Sequence, residues 1–192
     1  MDNATVIERL RQALPDAIQK TSEFRGMVSV YVGPDAIVDV AAFLRDDPDL
    51  SYNFLENLCG VDYLGRDPRF EVVYHLLSFK NHHHVCLKVG LPEQNPAVPT
   101  LTDLWATANW QEREAYDLFG ITFTGHPGLQ RILMPEDWEG FPARKDYPVQ
   151  IKTPVTFTSP TQVTEEEFVR NIEAHRVHAG GAAPGTKARP GA

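Results

Sequence analysis

Apolar residues recur along this chain at two different periods. In the stretch ATVIERLRQAL, Val6, Leu10 and Leu14 stand four apart, which predicts a short amphipathic helix. Val28, Val30 and Val32 then alternate with other residues and predict one face of a strand. The stretch PDAIVDVAAFLRDD predicts a helix opening on Pro34 and Asp35. Within Asn53–Leu64 a strand is expected around Leu58–Tyr63. The clearest alternation follows: Phe70, Val72, Tyr74 and Leu76, then Val85, Leu87, Val89 and Leu91, joined by KNHHH as an antiparallel hairpin. Helical spacing returns in TLTDLW, with Thr102 as cap, and in ANWQEREAYDLF. There Ala108, Ala115, Leu118 and Phe119 are expected on one face, with Gly120 ending the helix in a left-handed conformation. Helical and strand segments segregate. The expected class is therefore α+β: a largely antiparallel sheet with helices packed on one face.

Beyond Gly120 both periods vanish. ITFTGHPGLQRILMPEDWEGFPARKDYPV is broken by prolines and glycines, yet it carries Ile132, Leu133, Met134, Trp138, Phe141 and Tyr147. Anchors spaced along irregular backbone predict a segment laid over another surface, its own or a partner's. The expected organisation is an α+β domain over 1–124 and a docking segment over 125–150. An extended arm with a short helix follows over 151–178, then a disordered tail over 179–192. The arm's helix is announced by TEEE at Thr164–Glu167, a capping box. The tail, AGGAAPGTKARPGA, cannot build a core.

Composition narrows the function. A formal net charge of −8 disfavours nucleic acid as a partner. No apolar run approaches the roughly 20 residues of a membrane-spanning helix, and the N-terminus, MDNATVIERL, shows no signal-peptide pattern. The two cysteines, Cys59 and Cys86, are too few for an iron–sulfur cluster or a cysteine-rich zinc site, and are expected as reduced thiols. There is no G-x-G-x-x-G after a strand and no P-loop. No flavin, nicotinamide or metal site is therefore expected in this chain.

The chemically richest stretch is Asn109–Pro127, with Glu112, Arg113, Glu114, Tyr116, Asp117 and His126. Glu112 and Glu114, two apart on a helix, point about 200° away from each other and cannot act as a paired acid and base. Arg113 and Asp117, four apart, are expected to pair on the surface. His82, His83 and His84 alternate in direction at a hairpin, so a polar turn is expected rather than a metal site. Arg144, Lys145 and Asp146 form a local charge cluster.

The run ERE-x2-DLFGI-x-F-x-GHP-x-L-x-RIL, followed by PARKDYP, resembles the signature of the C-type subunit of the proton-pumping NADH:quinone oxidoreductase, respiratory complex I. This is the 30-kilodalton subunit family, and GVDY at Gly60–Tyr63 and PTLTDLWATANW are similar to it as well. The resemblance covers roughly residues 50–150. It implies a non-catalytic scaffold in the hydrophilic arm, peripheral on the cytoplasmic side of a bacterial cell membrane. It also implies contacts with the large D-type, quinone-site subunit and with cluster-bearing subunits. Flavin and iron–sulfur clusters are then expected in those partners, and this chain reaches the membrane only through the complex. The residues falling on the motif, and expected at interfaces, are Glu112, Arg113, Glu114, Asp117, Phe119, His126, Arg131, Arg144, Lys145 and Asp146. Three alternatives stay open: the equivalent scaffold of a related membrane-bound hydrogenase or ferredoxin-dependent complex, a stand-alone binding module, and a hydrolase using Glu112, Glu114 or His126.

Overall fold

The computed structural model describes residues 1–148, and the arm and tail expected beyond them lie outside the described residues. The elements are α1 (Asn3–Ala13), β1 (Ile18–Phe24), β2 (Met27–Val32), α2 (Ile37–Asp46), β3 (Phe54–Asp62), β4 (Phe70–Ser78), β5 (His83–Leu91), β6 (Ala97–Pro99), α3 (Ala108–Phe119) and β7 (Thr122–Thr124). One five-stranded sheet runs β1-β2-β5-β4-β3, and a two-stranded sheet pairs β6 with β7. Three of the joints in the large sheet are antiparallel, and β2–β5 is parallel. This is the α+β class that the patterning predicts.

The core forms where the alternation says it should. Val28, Val30 and Val32 stand opposite Val85, Leu87 and Val89, which in turn face Leu76, Tyr74 and Val72. All of these are buried, and α1 and α2 close over them with Val6, Leu10, Ile37, Val40, Ala41 and Leu44. α3 reaches the same face at the β3 edge. Gly60, paired with Val72, presents no side chain, and Phe119 lies on it so closely that a Cβ would sit 2.7 Å from the Phe119 ring. Gly60 is thus the notch that admits α3.

The structure differs from the sequence reading at several elements. β1, IQKTSEF, is an edge strand largely exposed to solvent, so it carries no apolar alternation to read. β3 begins four residues before the expected Leu58, because a register shift between Leu55 and Asn57 breaks its period. The expected helix over PDAIVDVAAFLRDD starts as a 3-10 turn at Pro34–Ala36 before becoming α2. TLTDLW holds a single turn, at Thr102–Leu104, rather than a helix. There the Leu101 N–H is taken by Glu112 and the Thr102 N–H by Thr100 Oγ1, while the Leu104 and Trp105 N–H groups close a single turn on Leu101 O. Of the consecutive histidines, His83 opens β5 instead of lying in the turn. It accepts from the Tyr52 hydroxyl at Nδ1 (2.6 Å) and donates from Nε2 to Asn3 Oδ1 (3.0 Å), tying α1 to the sheet. His84 turns away to Glu56, 3.3 Å distant.

Candidate functional site

α3 and the segment after it form one unit, built by side chains that bond backbone. α3 ends at Gly120, whose φ of +72° is open to glycine at little cost and whose N–H returns to Tyr116 O. β7 follows, and from His126 the chain runs back along α3. His126 donates from Nε2 to Asn109 O (3.1 Å) and accepts the Gly128 N–H at Nδ1 (3.0 Å). Arg113 donates to the carbonyls of Gln130 and Arg131, both at 3.1 Å. Ala143 N–H bonds Leu118 O, and Arg144 Nε bonds Phe119 O at 2.6 Å.

Asp117 is the centre of this arrangement. Its side chain is fully buried, and Oδ2 accepts the successive N–H groups of Ile132 (3.0 Å), Leu133 (2.7 Å) and Met134 (2.8 Å). Oδ1 receives Arg131 Nη1 at 2.7 Å. Burial works against the charge, but these donors outweigh it and hold the Asp117 carboxyl below the ordinary range. Arg131 also donates from Nη1 to Asp117 O and from Nη2 to Trp138 O and Gly140 O. The expected surface pair of Arg113 with Asp117 is therefore corrected. Both lie on the same side of α3, but each is committed to the backbone of the returning segment.

Glu112 is corrected more sharply. It was expected at an interface, yet it is fully buried and no cation lies within ion-pair distance among the described residues. Oε1 accepts the Leu101 N–H (2.8 Å), and Oε2 lies 2.5 Å from Thr100 Oγ1. Burial is the chief cause that raises its pKa to about 7. Buried Tyr74 faces the same region, and its hydroxyl has no partner. Glu112 takes the inward position expected of Leu118, because Ala108, Glu112, Ala115 and Phe119 follow the helical period. Buried Glu112 and Asp117 touch no solvent, so their action on any partner passes through the backbone they hold. Glu114 is exposed on the opposite side.

A second cluster joins the sheet to the segment. Arg69, buried at the head of β4, forms a bidentate pair with Asp62 (2.9 and 3.0 Å) and also meets Glu93 (2.6 Å) and Asp146 (2.8 Å). Asp62 also accepts the Lys145 N–H at 2.8 Å. Arg69 holds the Asp62 carboxyl below its usual range, against burial. The sequence reading picked up Asp62 only within GVDY and missed Arg69. Its signal was a lone cation directly preceding an apolar alternating strand.

At the surface of this unit Trp110 is 69% exposed and Leu133 58%. The side chains gathered here hold backbone in place.

The comparisons with known proteins agree with the geometry. The C-type subunit of the NADH-quinone oxidoreductase of Roseiflexus sp. strain RS-1 is 71% identical over 149 residues, covering 78% of this chain and 86% of that relative. Among solved structures, Nqo5, as a trypsin-resistant fragment (1-134), matches with a TM-score of 0.58 at 34% identity, covering 67% of this chain and all of the fragment. A chain of an archaeal membrane-bound sulfane sulfur reductase shares the fold with a TM-score of 0.64 at 24% identity, over 76% of this chain and 85% of its own. Residues 30–153 match the description "Respiratory-chain NADH dehydrogenase, 30 Kd subunit". The match over residues 30–153 and the 71% identical relative, with an α+β sheet shared with Nqo5, make this chain a member of the 30-kilodalton subunit family of the respiratory-chain NADH dehydrogenase.

Proposed function

We propose that this chain is a structural and assembly subunit of the hydrophilic arm of a proton-translocating NADH:quinone oxidoreductase. It supports electron transfer from NADH to quinone by its neighbours and carries no catalytic centre of its own. Membership in the 30-kilodalton family supports the first part. The observation that carries the second is the Asp117 clamp. A motif rich in acids and bases spends its bonding capacity on the backbone of residues 130–134, which makes an irregular segment into a fixed surface. In this reading the quinone-site subunit and cluster-bearing subunits receive that surface, and they hold the flavin and iron–sulfur clusters. The chain lies at the cytoplasmic side of the cell membrane through them. No helix among the described residues is long and apolar enough to cross a membrane.

The test is recovery of an affinity-tagged chain from detergent-solubilised membranes. The expected result is co-purification with an NADH-oxidising, quinone-reducing assembly whose flavin and iron reside in other chains. Stoichiometric flavin or iron on the purified chain alone would overturn the scaffold role. Recovery with hydrogenase-type subunits instead would move the same role to a related complex.

A further inference from the structure

Arg144 is held as a binding group is held, and among the described residues its outer donors meet no acceptor. Its backbone is fixed by the Arg144 N–H to Phe141 O, the Tyr147 N–H to Arg144 O and the neighbouring Ala143 N–H to Leu118 O. Its guanidinium centre lies 4.7 Å from the Phe141 ring centre and 5.0 Å from that of Phe70. A Cβ on Gly120 would sit 2.7 Å from Nη2, so the absence of a side chain there gives the guanidinium its resting place. Nε is spent on Phe119 O. Stacking on aromatic rings with one donor anchored leaves a planar fork, the Nη1 and Nη2 groups, pre-oriented for a bidentate acceptor.

No acceptor meets that fork among the described residues. Neither Nη1 nor Nη2 has a hydrogen bond or ion pair, and neither is sealed from solvent. The nearby carboxylates are already engaged: Asp62, Glu93 and Asp146 all bind Arg69. They attract Arg144 from beyond ion-pair distance, while partial burial and the like charge of Arg69 act against it. A half-buried guanidinium beside another cation gains most from a carboxylate of its own, because charge-assisted bidentate bonds are the strong ones and geometry here is fixed in advance.

We infer that the Nη edge of Arg144 seats the carboxylate of an aspartate or glutamate side chain from a partner subunit. This rests on the scaffold reading above and names the chemistry of one contact within it. The side-chain carboxylates beyond the described residues, Glu165, Glu166, Glu167 and Glu173, fall outside the matched residues 30–153, whereas Arg144 falls inside them. Arg144 lies in the family-matched part of the chain, and an acidic side chain of a neighbour in the assembly complements its charge.

The test uses the complex itself. In solubilised complex carrying R144K, a zero-length carbodiimide joins an amine only to a carboxylate in contact with it. Mass spectrometry should find a new amide between position 144 and an Asp or Glu of a partner subunit, read on whatever fraction of the variant is retained. In parallel, R144Q, which keeps donors but loses the charge and the fork, should reduce retention of the chain in the complex about tenfold. Purified full-length R144Q shows by its thermal unfolding whether that loss is a folding defect, and the cross-link decides the matter if it is. Links confined to this chain's own carboxylates, Glu165–Glu167 and Glu173 included, overturn the inference. So does the absence of any link in an intact complex. If the unsubstituted chain is not recovered in a complex at all, the scaffold reading is what fails.

Discussion

Glu112→Gln should stabilise this domain in mildly alkaline solution. A buried carboxyl with no cation nearby is favoured as the neutral acid, and Glu112 is raised from 4.5 to about 7. The unfolded chain returns it to the ordinary value. Between pH 4.5 and about 7 the folded state therefore holds a proton that the unfolded state has released. Stability follows the difference in bound protons, unfolded minus folded, so it falls as pH rises through this window. The contribution is fully present below pH 4.5 and lost above about 7. A span of that size corresponds to about 3 kcal/mol at ~1.4 kcal/mol per pH unit.

The local hydrogen bonds allow both protonation states. Thr100 Oγ1 lies between Glu112 Oε2 (2.5 Å) and Thr102 Oγ1 (3.0 Å), and it has one proton to give. With Glu112 neutral, the acid donates to Thr100 and Thr100 donates to Thr102. With Glu112 ionised, both donations reverse. Glutamine reproduces the neutral state: its carbonyl takes the Leu101 N–H, and its amide donates to Thr100. Thermal unfolding of wild type and E112Q from pH 5 to 8.5 is the assay. The two should nearly coincide at pH 5 and diverge by about 6–12 °C at pH 8, at ~2–4 °C per kcal/mol for a chain of this size. Parallel pH profiles would refute the reasoning, because the wild-type slope would then come from other groups.

Three further substitutions probe the same unit. Tyr74→Phe should leave stability unchanged or raise it by up to ~1 kcal/mol in denaturant titration, because the hydroxyl removed is buried without a partner. Gly60→Ala should cost about 1–3 kcal/mol by the same measurement, since its Cβ would meet the Phe119 ring at 2.7 Å. Asp117→Asn should cost about 3–5 kcal/mol, because an amide cannot serve both Arg131 and the three N–H groups of Ile132–Met134. Limited proteolysis of D117N should open first within 126–147, and cleavage confined to β1 instead would contradict the clamp.

What the sequence disclosed, and what it withheld, divides along physical lines. The strands β2, β4 and β5 were legible because each has one face in the core, so the period of two is written in valine and leucine. α2 and α3 were legible by their own spacing, and Gly120 by its place at a helix end. β1 was not, since an edge strand is held by backbone bonds to β2 and has no apolar face to display. The turn after Leu101 was misread because its helical spacing lasts only one turn, in which the Leu104 and Trp105 N–H groups both bond Leu101 O. The candidate site was legible in its membership but not in its orientation. Charged residues were assigned to interfaces, whereas Glu112 and Asp117 face inward.

That inward orientation follows from helical geometry once the neighbours are known. Along α3, Arg113 and Asp117 are about 40° apart and share the side on which the returning segment lies. Glu112 and Glu114 are about 200° apart, so when one enters the core the other meets solvent. The loop before α3 hangs on Glu112 through Leu101 and Thr100, and the segment after it hangs on Arg113 and Asp117. A short helix thus couples two stretches of backbone that have no regular structure to satisfy their own N–H and C=O groups. Buried backbone must find partners, and carboxylates are the side chains that can accept from several N–H groups at once. This accounts for so many acids on a helix whose buried carboxylates hold backbone. It also places the consequence of losing them in the shape of the surface at 125–148, where Trp110, Leu133 and the Arg144 fork are displayed.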